Sequence, residues 1–182
     1  RGPERPASVW AETEAAPMFL HSSVHDFDVA RWITGAEVTA VFARATHRDG
    51  SPASDPREIE TAAVTLSMSD GTLVTLDATW LHPGGYDVRV EVVAERAHLT
   101  AGLSPRTPAE HLDWPEASGD AWTGYLERFA DAYRAELVAF LGAVRGEMAP
   151  SSSARDGHEA LRVAVAATRS HVEGRQVSLD EV

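Results

Sequence analysis

Two alternating segments flanking Ser69-Asp70-Gly71-Thr72 constrain the fold of this chain more than any other feature. Between Thr61 and Met68, residues Ala62, Val64, Leu66 and Met68 fall on one face, with Thr65 and Ser67 on the other. Beyond the turn the pattern repeats from Leu73 to Trp80: Val74, Leu76, Ala78 and Trp80 oppose Thr75, Asp77 and Thr79. A period of two is strand geometry, and Asp-Gly supplies the backbone conformations of a tight reversal. The pair predicts an antiparallel hairpin with one apolar and one polar face.

The neighbouring segments extend that sheet. Val38 to Ala43 reads as an earlier strand, followed by breaks at Arg48 to Pro52 and at Asp55-Pro56. After a turn at Pro83-Gly84-Gly85, Val88, Val90 and Val92 alternate with Arg89 and Glu91, and Ala97 to Ala101 adds a short strand. Helical periodicity brackets the strands. Ser22 or Ser23 is placed to cap a helix running to Thr34, with Phe27, Ala30, Trp32 and Ile33 as its apolar side and Gly35 as its stop. Tyr125 to Arg145 carries Leu126, Phe129, Ala130, Tyr133, Leu137, Phe140, Leu141 and Val144 at three- and four-residue steps, a stripe expected in the core. Ser153 or Asp156 caps a last helix that ends at Glu173, before Gly174. Residues 1–17 read as an arm and 102–120 as a loop. The order predicts an α+β fold: an open, mainly antiparallel sheet with helices packed on one face.

Composition excludes several classes. A net charge of -12 argues against nucleic acid, which needs clustered cations. No apolar run approaches the ~20 residues of a membrane span, and no signal pattern opens the chain. With no cysteine there is no disulfide or thiol chemistry, which suits the cytoplasm. All 16 basic residues are arginine, so no lysine of this chain can form a Schiff base or deliver a proton.

The chemistry-bearing stretch is His21 to Asp28, which gathers His21, His25, Asp26 and Asp28. Histidines four apart project the same way from a helix, and imidazole changes charge near neutral pH, so the cluster suits proton transfer. Asp26 and Asp28 read as structural carboxylates, bonding helix-start amides or Arg31. A second reading makes His21 and His25 ligands of a divalent metal with one of these aspartates.

Four phrases occur in an order that resembles one family. They are His25-Asp26-Phe27-Asp28-x-Ala30-Arg31-Trp32, Gly85-Tyr86-Asp87-x-Arg89-Val90-Glu91-Val92, Phe129-Ala130-Asp131-Ala132-Tyr133-x-Ala135-Glu136 and Asp156-Gly157-x-Glu159-Ala160-Leu161. Together they are similar to the C-terminal domain of the Gfo/Idh/MocA oxidoreductases, most of all to the inositol 2-dehydrogenase branch. The resemblance implies reversible hydride transfer between a sugar or cyclitol hydroxyl and NAD or NADP, the dinucleotide being held by a Rossmann domain that this chain lacks. It makes residues 1–17 the linker from that missing domain and 18–182 a single substrate-binding and oligomerisation domain.

Carried over residue by residue, His25 matches the proton acceptor or relay. His21 stands where the branch has an aspartate that binds substrate hydroxyls. Tyr86 matches a tyrosine lining the substrate pocket, while Gly84 replaces a second one and Ala16-Pro17 replace a glycine pair. The partners implied are a small polyol or sugar and a second copy of the chain on the open sheet face. The family's catalytic lysine lies in the missing half, so the isolated chain is expected to be inactive and to bind no cofactor itself. The competing readings are a non-catalytic ligand-binding or dimerisation module of the same descent, and the metal site at His21 and His25.

Overall fold

The computed structural model describes residues 15–46, 58–80, 85–104 and 121–182. They contain six strands: β1 (Val38–Thr46), β2 (Thr61–Met68), β3 (Leu73–Thr79), β4 (Val90–Ala94), β5 (Ala97–Ala101) and β6 (Val177–Ser178). Four helices accompany them: α1 (Val24–Thr34), α2 (Tyr125–Arg128), α3 (Ala130–Val144) and α4 (Ala154–Glu173). These elements form two compact units. One joins the residues up to Trp80 with Ser152–Val182, and the other holds those between 85 and Ser151.

The first unit is built on the predicted hairpin. β2 and β3 pair antiparallel, β1 flanks β2 and the two-residue β6 flanks β1, in the order β3-β2-β1-β6. The turn is held from within, since the Asp70 carboxylate accepts from the Thr72 backbone N–H at 2.9 Å and from its hydroxyl at 3.0 Å. Register stacks the apolar alternation into rows across three strands: Val41 beside Leu66 and Val74, then Ala43 beside Val64 and Leu76. Val163, Ala164, Ala166 and Ala167 of α4 join that core, as do Phe27 and Ala30 of α1. The opposite face carries Thr75, Asp77 and Thr79 of β3 and Arg44 and Thr46 of β1, all exposed. An apolar row between polar ones is what lets a sheet bury one side only.

α4 does more than cover the sheet. Its capping box is complete, with Ser153 Oγ accepting from the Asp156 N–H and the Asp156 carboxylate accepting from the Ser153 N–H, so both candidate caps act as one device. At its other end, Ser170 Oγ accepts the Ala43 N–H at 2.9 Å and His171 Nδ1 accepts the Ala45 N–H at 3.2 Å. Two donors on the margin of β1 that β6 is too short to reach are thereby satisfied. β6 itself lay beyond sequence reasoning, because two residues cannot display a period.

α1 departs from expectation at its start. Ser22 and Ser23 do not cap it: helical backbone already runs from Pro17, passing through a π-helical turn at Phe19–Ser23. The N–H groups a cap would serve are therefore satisfied within the helix. Ala15, Ala16, Met18 and Phe19 are buried, and the Ala16 N–H donates to Thr168 Oγ1 at 2.7 Å, so the end of the expected arm belongs to the core. On α1, Phe27 and Ala30 face inward as read, whereas Trp32 is 78% exposed and Ile33 is exposed as well. A side at 100° per residue cannot hold 27, 30, 32 and 33 together. The helix closes at Gly35 with φ 66. Arg31, nearly buried, donates to both oxygens of Glu37 (2.8 and 3.0 Å) and pairs with Asp28 at 3.4 Å and Asp156 at 3.6 Å, tying α1 to the start of α4. That guanidinium holds the Glu37 carboxyl below the ordinary glutamate range.

In the second unit β4 and β5 form an antiparallel hairpin, with Val92 opposite Leu99; among the described residues it is a sheet of its own and does not extend the first, contrary to what the alternation alone implies. The helix expected from Tyr125 to Arg145 is interrupted at Phe129 (φ -111, ψ 21), which divides α2 from α3. Its stripe is not core: Phe140 is 63% exposed, and Tyr133, Leu137, Leu141 and Val144 are also exposed. Periodicity reports that a helix has an apolar side; whether a neighbour covers it depends on the rest of the fold. Turn residues Pro83 and Gly84, His47, His82 and His111, and most of the 102–120 loop lie outside the described residues.

Candidate active site

The His/Asp cluster occupies the junction between the π-helical turn and α1. His21 lies in the π turn and His25 in the first turn of α1, both exposed. A π turn, with its wider i to i+5 bonding, occurs mostly as an isolated insertion in an α-helix and often near functional groups. Ser23, between the two histidines, is fully buried, and its Oγ has no hydrogen-bond partner among the described residues. Nothing in the local sequence signals a π turn.

Asp26 is the unexpected member. Its carboxyl bonds neither a helix-start amide nor Arg31; the partner of Arg31 on this helix is Asp28. Instead Asp26 is half-buried, and burial pushes its carboxyl up to about 6, opposed by the neighbouring His25 and reinforced by the negative charge of Asp77 on β3. A carboxyl whose folded-state value is raised stabilises the fold fully below its unfolded value near 3.8, and that contribution is lost as pH rises through about 6. Asp26→Asn is therefore expected to stabilise the protein at pH 7 by about 1–3 kcal/mol, with the gain gone below about pH 4. Urea midpoints of the two proteins across that range test this, and identical midpoints at pH 7 would disprove it.

Tyr86, the remaining candidate, belongs to the second unit. Its N–H donates to the Trp122 carbonyl at 2.7 Å, and its ring meets Phe129 edge-on, 6.1 Å between centroids at 89°. Arg128 lies over both Trp122 and Phe129, at 5.6 and 5.2 Å from the ring centroids. Sequence reasoning passed over Trp122 and Arg128, because neither shares a periodic face with Tyr86.

Among the described residues, neither α1 nor α4 begins as a dinucleotide-binding helix does. Such a site needs a glycine-rich turn leading from a strand into a helix. Here α1 continues from a π turn and α4 opens on the Ser153 capping box. For a metal, no group of three or more His, Asp or Glu side chains converges among the described residues. Nor is any helix among them long and apolar enough to cross a membrane.

Residues 3–179 match the family model for the oxidoreductase family, C-terminal alpha/beta domain. The chain belongs to that family, the Gfo/Idh/MocA oxidoreductases. It is 37% identical over 165 residues to the myo-inositol dehydrogenase Hyg17 of Streptomyces leeuwenhoekii, covering 88% of this chain and 49% of that protein. It is 36% identical over 174 residues to the myo-inositol 2-dehydrogenase of Thermotoga maritima, covering 91% and 50%. Among solved structures, the scyllo-inositol dehydrogenase of Lactobacillus casei, determined with NAD(H) and scyllo-inositol, superposes with a TM-score of 0.74 at 27% identity, covering 90% of this chain and 48% of that one. The chain thus spans about half the length of these relatives.

Proposed function

We propose that these residues are the substrate-binding and oligomerisation domain of an NAD- or NADP-dependent dehydrogenase that oxidises a cyclitol or sugar hydroxyl, working in the cytoplasm. The observation that carries this reading is His25: an exposed imidazole in the first turn of α1, set in a phrase that resembles the family's, beside a half-buried carboxyl. In the oxidative direction neutral His25 accepts the proton of the reacting hydroxyl. His21, one helical turn away, donates and accepts hydrogen bonds to neighbouring hydroxyls where a carboxylate would only accept. Tyr86 forms a wall for the apolar face of the ring. The dinucleotide, which receives the hydride, is held by chain outside these 182 residues. The exposed sheet face of Thr75, Asp77, Thr79 and Arg44 meets a second copy.

The full-length protein is expected to reduce NAD or NADP with myo-inositol, scyllo-inositol or a related sugar, and the isolated 182-residue chain to do neither. A folded full-length protein inert toward every such polyol with both dinucleotides would overturn the reading, leaving the non-catalytic module. Turnover by the isolated chain would overturn it from the other side.

A further inference from the structure

Tyr86 is held by an arrangement with a cation at its centre. The strand-like segment that carries it is pinned by its N–H to the Trp122 carbonyl. Trp122 is followed by Thr123, whose N–H and hydroxyl both donate to Glu127 (3.2 and 2.9 Å), closing the turn into α2. Arg128, at the end of α2, is half-buried over the rings of both Trp122 and Phe129, and Phe129 meets the Tyr86 ring. The same guanidinium donates to the Gly102 carbonyl at 3.5 Å. Just before Tyr86, Gly85 has φ 119, and a Cβ there would lie 2.8 Å from Ala121 Cβ and 2.9 Å from the Trp122 carbonyl. Only glycine lets the two segments approach so closely.

The guanidinium's role is therefore internal. Each ring lies within the ~6 Å at which a cation is attracted to an aromatic face. Its hydrogen bond to the Gly102 carbonyl is long, at 3.5 Å, whereas both rings lie at cation–π distance. We infer that Arg128 is a positioning residue for Tyr86, fixing the tyrosine's backbone through Trp122 and its ring through Phe129. Resting on the functional reading above, this makes Arg128 a determinant of polyol affinity without itself touching the substrate.

The test uses the full-length protein with 3-fluorotyrosine at position 86, in Arg128→Met, Arg128→Lys and Phe129→Leu backgrounds. The fluorine resonance is expected to move by more than its linewidth in Arg128→Met and Phe129→Leu and to return toward its original position in Arg128→Lys. An unmoved resonance overturns the inference whatever the substrate proves to be. Kinetically, Arg128→Met is expected to raise the KM for the polyol about tenfold while kcat changes less than about threefold and the KM for the dinucleotide stays unchanged. In a Tyr86→Ala background the same change is expected to add less than about twofold. Full additivity of the two substitutions would overturn it, because Arg128 would then act independently of Tyr86. A wild-type protein that oxidises no polyol removes the functional reading alone, and the resonance still decides the positioning role.

Discussion

Replacing His25 by alanine in the full-length protein is expected to lower kcat for polyol oxidation by about 10² to 10⁴-fold, the usual worth of a positioned general base. The loss should fall on kcat and leave the KM for the dinucleotide unchanged, because the proposed role of His25 is to take a proton and not to bind that cofactor. His25 stands exposed on α1 with its ring free to meet a substrate from solvent, so truncation removes a proton acceptor and little packing. His25→Asn sharpens the point: it keeps a polar planar group of similar size but has no ring nitrogen to accept a proton, and the same loss is expected. A loss below tenfold would show that another group takes the proton.

Two residues along the same helix, Phe27→Ala is expected to cost about 3–5 kcal/mol. Phe27 is fully buried and its ring centroid lies 6.4 Å from that of Phe19, so alanine leaves a cavity between α1 and the core that neither helix can close alone. Domains are stable by only about 5–15 kcal/mol, so this is a large share. Amide exchange of α1 in the full-length protein measures it locally: protection should fall by about 10²-fold or more. Protection unchanged within about threefold would mean that Phe27 does not anchor the helix. The two predictions separate chemistry from scaffold, since the first should leave exchange untouched and the second should impair every function of α1 together.

The strands, the stops of α1 and α4 and the start of α4 were legible in the sequence because each rests on a local rule. The hairpin around Asp70-Gly71, the stop at Gly35 and the capping pair Ser153 and Asp156 need no distant partner to be recognised. What failed depended on tertiary context. Ser22 and Ser23 have the chemistry of a cap, but the chain arrives already helical from Pro17 and leaves them nothing to cap. The stripe of α3 is amphipathic, yet Phe140 and Leu137 face solvent. In the candidate site, His21 and His25 could be found by spacing. Asp26 could not be singled out, since its raised carboxyl comes from burial and from Asp77, fifty-one residues away in sequence. Arg128 was equally invisible, because its contacts to Trp122 and Phe129 depend on the break between α2 and α3.

The side-chain acceptors Ser170 and His171 have a consequence for how the molecule can be assembled. By occupying the Ala43 and Ala45 donors they close that margin of the sheet from inside, leaving no free donor at either residue for an incoming strand. The sheet can therefore not be widened beside this stretch of β1. That stretch of margin is thereby barred to the edge-to-edge pairing through which exposed strands recruit other chains.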